Sequence, residues 1–323
     1  MRFDSRGLVS TYLSQWMPTG DNRVSVAGYF GGGEDVSSGY FDKYQRFAFP
    51  SDTRTQLTAV MSTGTNTHGA MANSGTAGYF VGGITSGGNV ASAQKLLFPA
   101  ETNSVISGAL NTGATRANSC AANSGVAGYS FGGTDYRTAI DKLTFATDVG
   151  STVSGQTITT GLLAGGAFSN QGVAVFSAGG ADVGGNYLSG IDKMTTPAEV
   201  KSVSGATLSV ARSRVTGFSD ASIAGYIAGG ADGSVAYTTV DKVVFSTETR
   251  STLGTGLTTA VSFLGSFSDS GVAGYVAGGQ TFGAASKVTT NNKFAFPTDT
   301  KSTTTAISES LDRLAGCSNE GGF

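Results

Sequence analysis

One short motif limits what this chain can fold into. The segments AGYFGG (27–32), AGYFVGG (77–83), AGYSFGG (127–133), AVFSAGG (174–180), AGYIAGG (224–230) and AGYVAGG (273–279) are six copies of one unit. Their aromatic anchors, Tyr29, Tyr79, Tyr129, Phe176, Tyr226 and Tyr275, stand 50, 50, 47, 50 and 49 residues apart. A fixed period of this size marks a repeat architecture, in which each unit buries its apolar face only against its neighbours.

A second anchor keeps the same period. The pairs Gln45-Arg46, Gln94-Lys95, Asp141-Lys142, Asp192-Lys193, Asp241-Lys242 and Asn292-Lys293 open a pattern closed by Phe49, Phe98, Phe145, Phe245 or Phe296, with Thr196 as the exception. Three residues further on stands an acid each time: Asp52, Glu101, Asp148, Glu199, Glu248 and Asp299. The segments between read as strands, because they are short, Gly-bounded, alternating or rich in Thr, Ser and Val, and amphipathic helix spacing is hard to find. About four strands in about 50 residues is the unit of a β-propeller blade.

The phase of the chain ends favours a ring over a solenoid. RLAGCSNEGG (313–322) matches RANSCAANSG (116–125), so the next element due is the AGY strand, and that strand stands in surplus at the front. We therefore expect an all-β, six-bladed propeller over 22–323, its blades of about four antiparallel strands, closed by pairing the N-terminal strand with the C-terminal blade. Residues 1–21 form a separate N-terminal arm. The AGY strand is expected nearest the axis, where crowding suits Ala and Gly, and the diglycine gives a sharp turn at φ > 0. This accounts for much of the Gly content, 49 of 323 residues, about twice ordinary usage.

Hydrophobic strand, diglycine, variable loop and aromatic-bearing strand resemble the Kelch repeat, over nearly the whole chain. The Trp expected late in each Kelch repeat is absent, since the only Trp is Trp16. The Gly/Ser/Thr-rich style, with GY-x-x-GG, then DK-x-x-F and T-[DE]-T, is similar to Kelch-like propellers of tailed-phage virion proteins. The resemblance implies a non-enzymatic structural or binding component of the virion, tail- or fibre-associated. Its implied partners are other virion proteins and a host-surface glycan or protein, within a symmetric multi-subunit assembly. A cellular Kelch-type interaction scaffold is the alternative, for which an appended partner domain would be expected. A propeller glycan-binding protein or hydrolase is a further one.

Composition excludes other classes. The formal net charge is −2 and no Lys/Arg cluster occurs, so the electrostatic footprint of a nucleic-acid binder is missing. No apolar run is long enough for a transmembrane helix, and the N-terminus has no signal-peptide block, so neither membrane insertion nor export by that route is expected. The expected location is the virion, after synthesis in the host cytoplasm. The acid and the basic pair of each repeat read as scaffold, the acid as a local turn residue and the pair as a link between strands. A hydrolase would need acids outside the repeat pattern, for which Glu34, Asp35, Asp135, Asp182 and Asp232 are candidates. None stands in a cleft-like sequence context, so no catalytic residue, metal site or cofactor is expected. His68 reads as a solvated loop residue. Cys120 and Cys317 share one repeat position in well-separated units, and are expected as free, buried thiols in a reducing assembly compartment.

Function is expected where repeats differ. The connections between diglycine and basic pair contain 12, 10, 7, 11, 10 and 12 residues, and carry Tyr40, Phe41, Tyr136, Tyr187, Tyr237 and Phe282. Aromatics among small polar neighbours suit recognition. The arm, with Phe3, Leu8, Tyr12, Leu13 and Trp16, is expected to dock into a neighbouring subunit.

Overall fold

The computed structural model describes residues 27–319 apart from 38 and 284. The arm residues Phe3, Leu8, Tyr12, Leu13 and Trp16 lie outside the described residues. Among the described residues there is no helix; six four-stranded antiparallel sheets form the blades of a propeller. Blade 1 combines Ala315–Ser318 with Ala27–Gly31, Lys43–Ala48 and Thr53–Val60. Blade 2 runs Gly69–Asn73, Ala77–Val81, Ala93–Leu97 and Thr102–Ile106. Blade 3 is Ser119–Asn123, Ala127–Phe131, Ala139–Thr144 and Val149–Thr157. Blade 4 holds Gly166–Asn170, Ala174–Ala178, Ile191–Thr195 and Val200–Val203. Blade 5 holds Thr216–Asp220, Ala224–Ala228, Val240–Val244 and Thr249–Thr252. Blade 6 is Gly265–Asp269, Ala273–Ala277, Asn291–Ala295 and Thr300–Thr303.

The first strands of successive blades lie side by side in a closed cycle and so surround the axis. The AGY strand is therefore second in each blade, not nearest the axis as its small residues suggest. Its glycine answers a different steric demand. A Cβ on Gly225 would fall 2.0 Å from the Phe168 ring of blade 4, and on Gly274 2.1 Å from Phe218 of blade 5. Gly28 likewise faces Phe267, Gly128 faces Met71 and Gly78 faces Cys317. In each case the middle residue of one blade's first strand fills a slot left by the missing side chain in the next blade. Blade 4 carries Val175 at this position, and the facing residue of blade 3 is Ala121; the two share one core cluster. Large on glycine and small on valine conserve volume across the seam.

The repeated polar residues also act across seams. The acids sit at φ 49–57°, in the left-handed region, which costs a non-glycine residue about 1 kcal/mol or more. Their carboxylates do not cap the local turn. Each reaches the preceding blade and takes its basic residue: Arg46–Glu101, Lys95–Asp148, Lys142–Glu199, Lys193–Glu248, Lys242–Asp299 and Lys293–Asp52, at 2.5–3.1 Å. The last of these pairs joins blade 6 to blade 1. Five seams add a tyrosine hydroxyl donating to the same acid: Tyr29, Tyr79, Tyr129, Tyr226 and Tyr275, at 2.6–3.2 Å. Burial, followed by the acceptor carboxylate, pushes the Tyr226 and Tyr275 hydroxyls far above their ordinary range. The phenylalanine of the second anchor stacks on the preceding blade's aromatic, as in Tyr29–Phe98 at 5.2 Å and Tyr79–Phe145 at 5.0 Å. Thr196 leaves Tyr129 without that stack.

The Gln, Asp or Asn that precedes the basic residue has one further task. Gln45, Gln94, Asp141, Asp192, Asp241 and Asn292 each accept a backbone N–H from the incoming interblade connection, at 2.7–3.1 Å. These residue types share a side-chain oxygen at that reach, which is why they interchange.

Two variants test the seam. Ala121→Phe should destabilise the fold by about 1–3 kcal/mol through overpacking on Val175. Adding Val175→Gly should recover a measurable part, with a positive coupling in a chemical-denaturation double-mutant cycle; strict additivity would contradict the slot. Asp220, at 1% exposure and without a hydrogen-bond partner among the described residues for either carboxylate oxygen, occupies a position held by Asn73, Asn123 and Asn170 in other blades. Burial outweighs the opposing pull of Lys242 and, with a smaller push from the Asp299 charge, leaves its carboxyl above the usual range. The folded state then binds a proton more readily than the unfolded chain, so this group weakens the fold as pH rises above about 4. Asp220→Asn should raise stability at pH 7 by about 1–3 kcal/mol, and thermal unfolding should show the gain vanishing in acid.

Candidate functional site

Two sets of connections build one face. The second-to-third-strand connections bridge to the interblade connections through Leu163–Ala181, Ser213–Ala231, Ser262–Gln280 and Glu34–Asp312. The diglycines make this possible: their φ values are 62–69° and 95–113°, and the second N–H donates to the interblade connection, as in Gly33 to Thr65 and Gly230 to Val261, both 2.9 Å. All variable loops thus gather on the diglycine face, with the short turns on the other.

At the centre of the loop face six residues share one repeat position just before the first strand. Thr67, Ala117, Ala164, Arg214, Phe263 and Arg313 all lie at φ 55–61°. The N–H of each donates to the carbonyl of its counterpart one blade back, Thr67 to Arg313 completing the cycle, at 2.6–2.9 Å. This collar of backbone hydrogen bonds encircles the axis. Its side chains break the symmetry, with Arg214, Phe263 and Arg313 on three consecutive blades and Thr67, Ala117 and Ala164 opposite. The Arg214 and Arg313 guanidinium carbons lie 4.9 and 4.6 Å from the Phe263 ring centroid. These residues line a cavity of about 60 Å³, with a second of about 80 Å³ lined by the first strands.

The aromatic loop residues are distributed over the rim rather than gathered into one patch. Tyr40 and Phe282 are exposed, at 37% and 44%, on the adjoining blades 1 and 6. Phe41 packs against the core. Tyr136, at φ 51°, is half-buried on blade 3. The half-buried Tyr187 places its hydroxyl against Gly233 of the next blade, and Tyr237 donates to Asp232 at 2.5 Å.

The unrepeated acids have local tasks. Glu34 pairs with Lys287 and Arg313 and accepts from Asn66, all at 2.9 Å, and Lys287 and Arg313 also pair with the buried Asp312. This cluster ties the loops of blades 6 and 1 together. Asp35 accepts from Ser37 and Gly39, Asp182 from Asn186, and Asp232 from Tyr237, Ser234 and Val235, and those hydrogen bonds hold the three carboxyls below the usual range. Asp135 is exposed at φ 67°. Among the described residues no group of three or more His, Cys, Asp or Glu is placed to hold a metal ion, and no helix is long and apolar enough to cross a membrane.

His68 is not a solvated loop residue. It is buried, with Nε2 3.1 Å from the Gly31 carbonyl and its ring edge-on to Phe80. Cys120 and Cys317 are free and buried, in the first strands of blades 3 and 1, but they do not share a repeat position: Cys317 pairs with Tyr29, and the residue that pairs with Tyr129 is Ala121, next to Cys120. Burial pushes the Cys120 thiol up to about 12 and Cys317 higher still.

No protein-family model matches the chain, and no curated protein matches it. The site residues that sequence reasoning missed are Arg214, Phe263 and Arg313. A shared offset from the first strand was the available signal, but the six residues there have no chemistry in common.

Burial lowers the His68 imidazole to about 4, whereas the unfolded chain titrates near 6.5. Between these values the unfolded state binds the extra proton, so stability should fall as pH drops through that window. His68 is the only histidine, so the effect can be isolated. Urea midpoints followed against pH should show a slope that is reduced in His68→Gln; an unchanged slope would place the titration elsewhere.

Proposed function

We propose that this chain is a non-enzymatic structural and binding component of a tailed-phage virion, associated with the tail or a fibre. In this reading it is a Kelch-like propeller held through residues 1–21, with its loop face turned to a partner or host surface. The observation that carries the reading is the division between repeated and unrepeated chemistry. The repeated ionisable groups are engaged in seams: six basic residues on six acids, and five tyrosines on the same acids. Glu34, Asp35, Asp182 and Asp232 hold loops in place, and His68 is neutral and buried. What remains free to differ from blade to blade is the loop face, which suits recognition rather than turnover.

The Gly/Ser/Thr-rich style of the repeat supports the virion assignment. The second strand of blade 1 starts from the turn face at Ala27. That face also carries Val126, Val173, Ile223 and Val272, each about half exposed and on four consecutive blades. An anchor through the preceding residues therefore suits a mounting with the turn face inward and the loops outward.

Deleting residues 2–21 tests the mounting. The truncated chain should unfold at an unchanged temperature and fail to co-sediment with particles assembled in its presence; normal incorporation would remove the arm from the proposal. Turnover of any member of a glycan panel, abolished by neutralising Glu34, Asp182 or Asp232, would overturn the non-enzymatic assignment.

A further inference from the structure

The axial depression has a recognition chemistry of its own. Every backbone N–H and carbonyl of the collar is engaged in the closed ring of hydrogen bonds, so a ligand there must be read by side chains. Arg214, Phe263 and Arg313 share the cavity lining with the smaller Thr67, Ala117 and Ala164, so the bulky side chains occupy one half of the collar. Contact with one phenyl ring holds both guanidinium groups at the depression before any ligand arrives. The two arginines are not equivalent. Arg313 shares its charge with Glu34 and Asp312, each at 2.9 Å. The Arg214 guanidinium has no hydrogen bond or ion pair among the described residues; its contact is the Phe263 ring. A half-buried positive charge with no acidic partner among the described residues therefore sits at the mouth of a cavity.

The surroundings narrow the ligand. The rim mixes Asp35, Asp135, Asp182 and Asp232 with Arg116 and Arg137, so it offers no uniformly basic surface for a polyanion such as nucleic acid or an acidic peptide. Between these acids lie half-exposed aromatic rings and small hydroxyl or amide side chains, which suit the faces and hydroxyls of sugars. A single anionic group on an otherwise neutral, hydroxyl-rich molecule meets both conditions.

We propose that the axial depression of the loop face binds a carboxylated sugar end-on, its carboxylate taken by the Arg214 guanidinium beside the Phe263 ring. The proposal rests on the reading of the loop face as the binding face, and adds to it the site and the ligand class. Arg214 is the anchoring residue, Phe263 orients it, and Ala164 leaves the space the sugar enters.

Titration of the full chain with glucuronate, glucose and acetate, followed by NMR, tests this directly. Glucuronate should bind with shifts centred on Thr67, Ala164 and Phe263, and more tightly than either glucose or acetate. Arg214→Asn, chosen because Asn tolerates φ > 0, should weaken glucuronate about tenfold or more. Ala164→Glu should abolish binding by occupying the open side with a like charge; the equivalent position of the next blade already holds the long Arg214, so the backbone accepts a large residue there. Unfolding temperatures establish that both variants are folded. Glucuronate binding that survives both substitutions would overturn the proposal, as would no glucuronate binding to the unsubstituted chain. Acetate binding equal to glucuronate would overturn the sugar assignment. Glycan binding that depends on Tyr40 or Phe282 and ignores Arg214 would sink the axial site while leaving the loop face as the binding surface, so the two failures are distinguishable.

Discussion

The molecule depends on a carboxylate that leaves its own blade. A single β-sheet of this size has two faces to cover, and in a ring each face can be covered only by a neighbour. Each seam is directional: one blade supplies an aromatic ring, a basic residue and a protruding first-strand side chain, and the next supplies an acid and a slot. Such head-to-tail complementarity closes when the last unit meets the first, as Lys293 and Tyr275 do with Asp52 and Phe267 does with Gly28. Ion pairs half-open to solvent contribute little singly; these have side-chain exposures of 15–33% on the basic partner. Their value is in register, because one carboxylate receives a hydroxyl and a cation from fixed directions.

The exceptions show which parts of the seam are separable. Between blades 3 and 4 the aromatic stack is lost at Thr196, and the protruding residue shrinks to Ala121 while its slot fills with Val175. Tyr129 and Lys142 still reach Glu199. Between blades 4 and 5 the hydroxyl is lost, because Phe176 replaces tyrosine, yet Phe176 stacks on Phe245 at 5.6 Å and Lys193 still meets Glu248. Burial opposes the charge on Glu248, but hydrogen bonds from Lys193, Ser204 and Gly205 outweigh it and hold this carboxyl below its usual range. The ion pair is thus the element present in every seam, and the apolar parts adjust around it.

The blade count and the four antiparallel strands were legible because period and strand pattern are local properties of the sequence. The order of strands about the axis was not. The glycine of the AGY strand looks like an answer to axial crowding, whereas its partner is a side chain from the preceding repeat, such as Phe168 for Gly225. The acids look like turn residues because they do occupy turns, at φ 49–57°. No local signal reveals that Glu101 receives Tyr29 from 72 residues away. His68 sits in a polar stretch and reads as solvated, yet the diglycine at Gly32 packs directly over its ring. At the loop face the aromatic residues were found, but not the centre, where Ala117 and Arg214 occupy one position for reasons of backbone conformation alone.

That contrast explains where variation can accumulate without loss of the ring. In a seam the side chains are the connection, so a change on one blade demands a matching change on the next, as Ala121 and Val175 show. In the collar the connection is backbone to backbone, and each residue already carries the penalty of a left-handed conformation whatever its side chain. A residue there can be threonine, alanine, arginine or phenylalanine while the hydrogen-bond ring stays between 2.6 and 2.9 Å. The centre of the loop face is therefore the place where a near-symmetric scaffold most readily accommodates an asymmetric set of side chains. Arg214, its guanidinium against the Phe263 ring, stands at that centre.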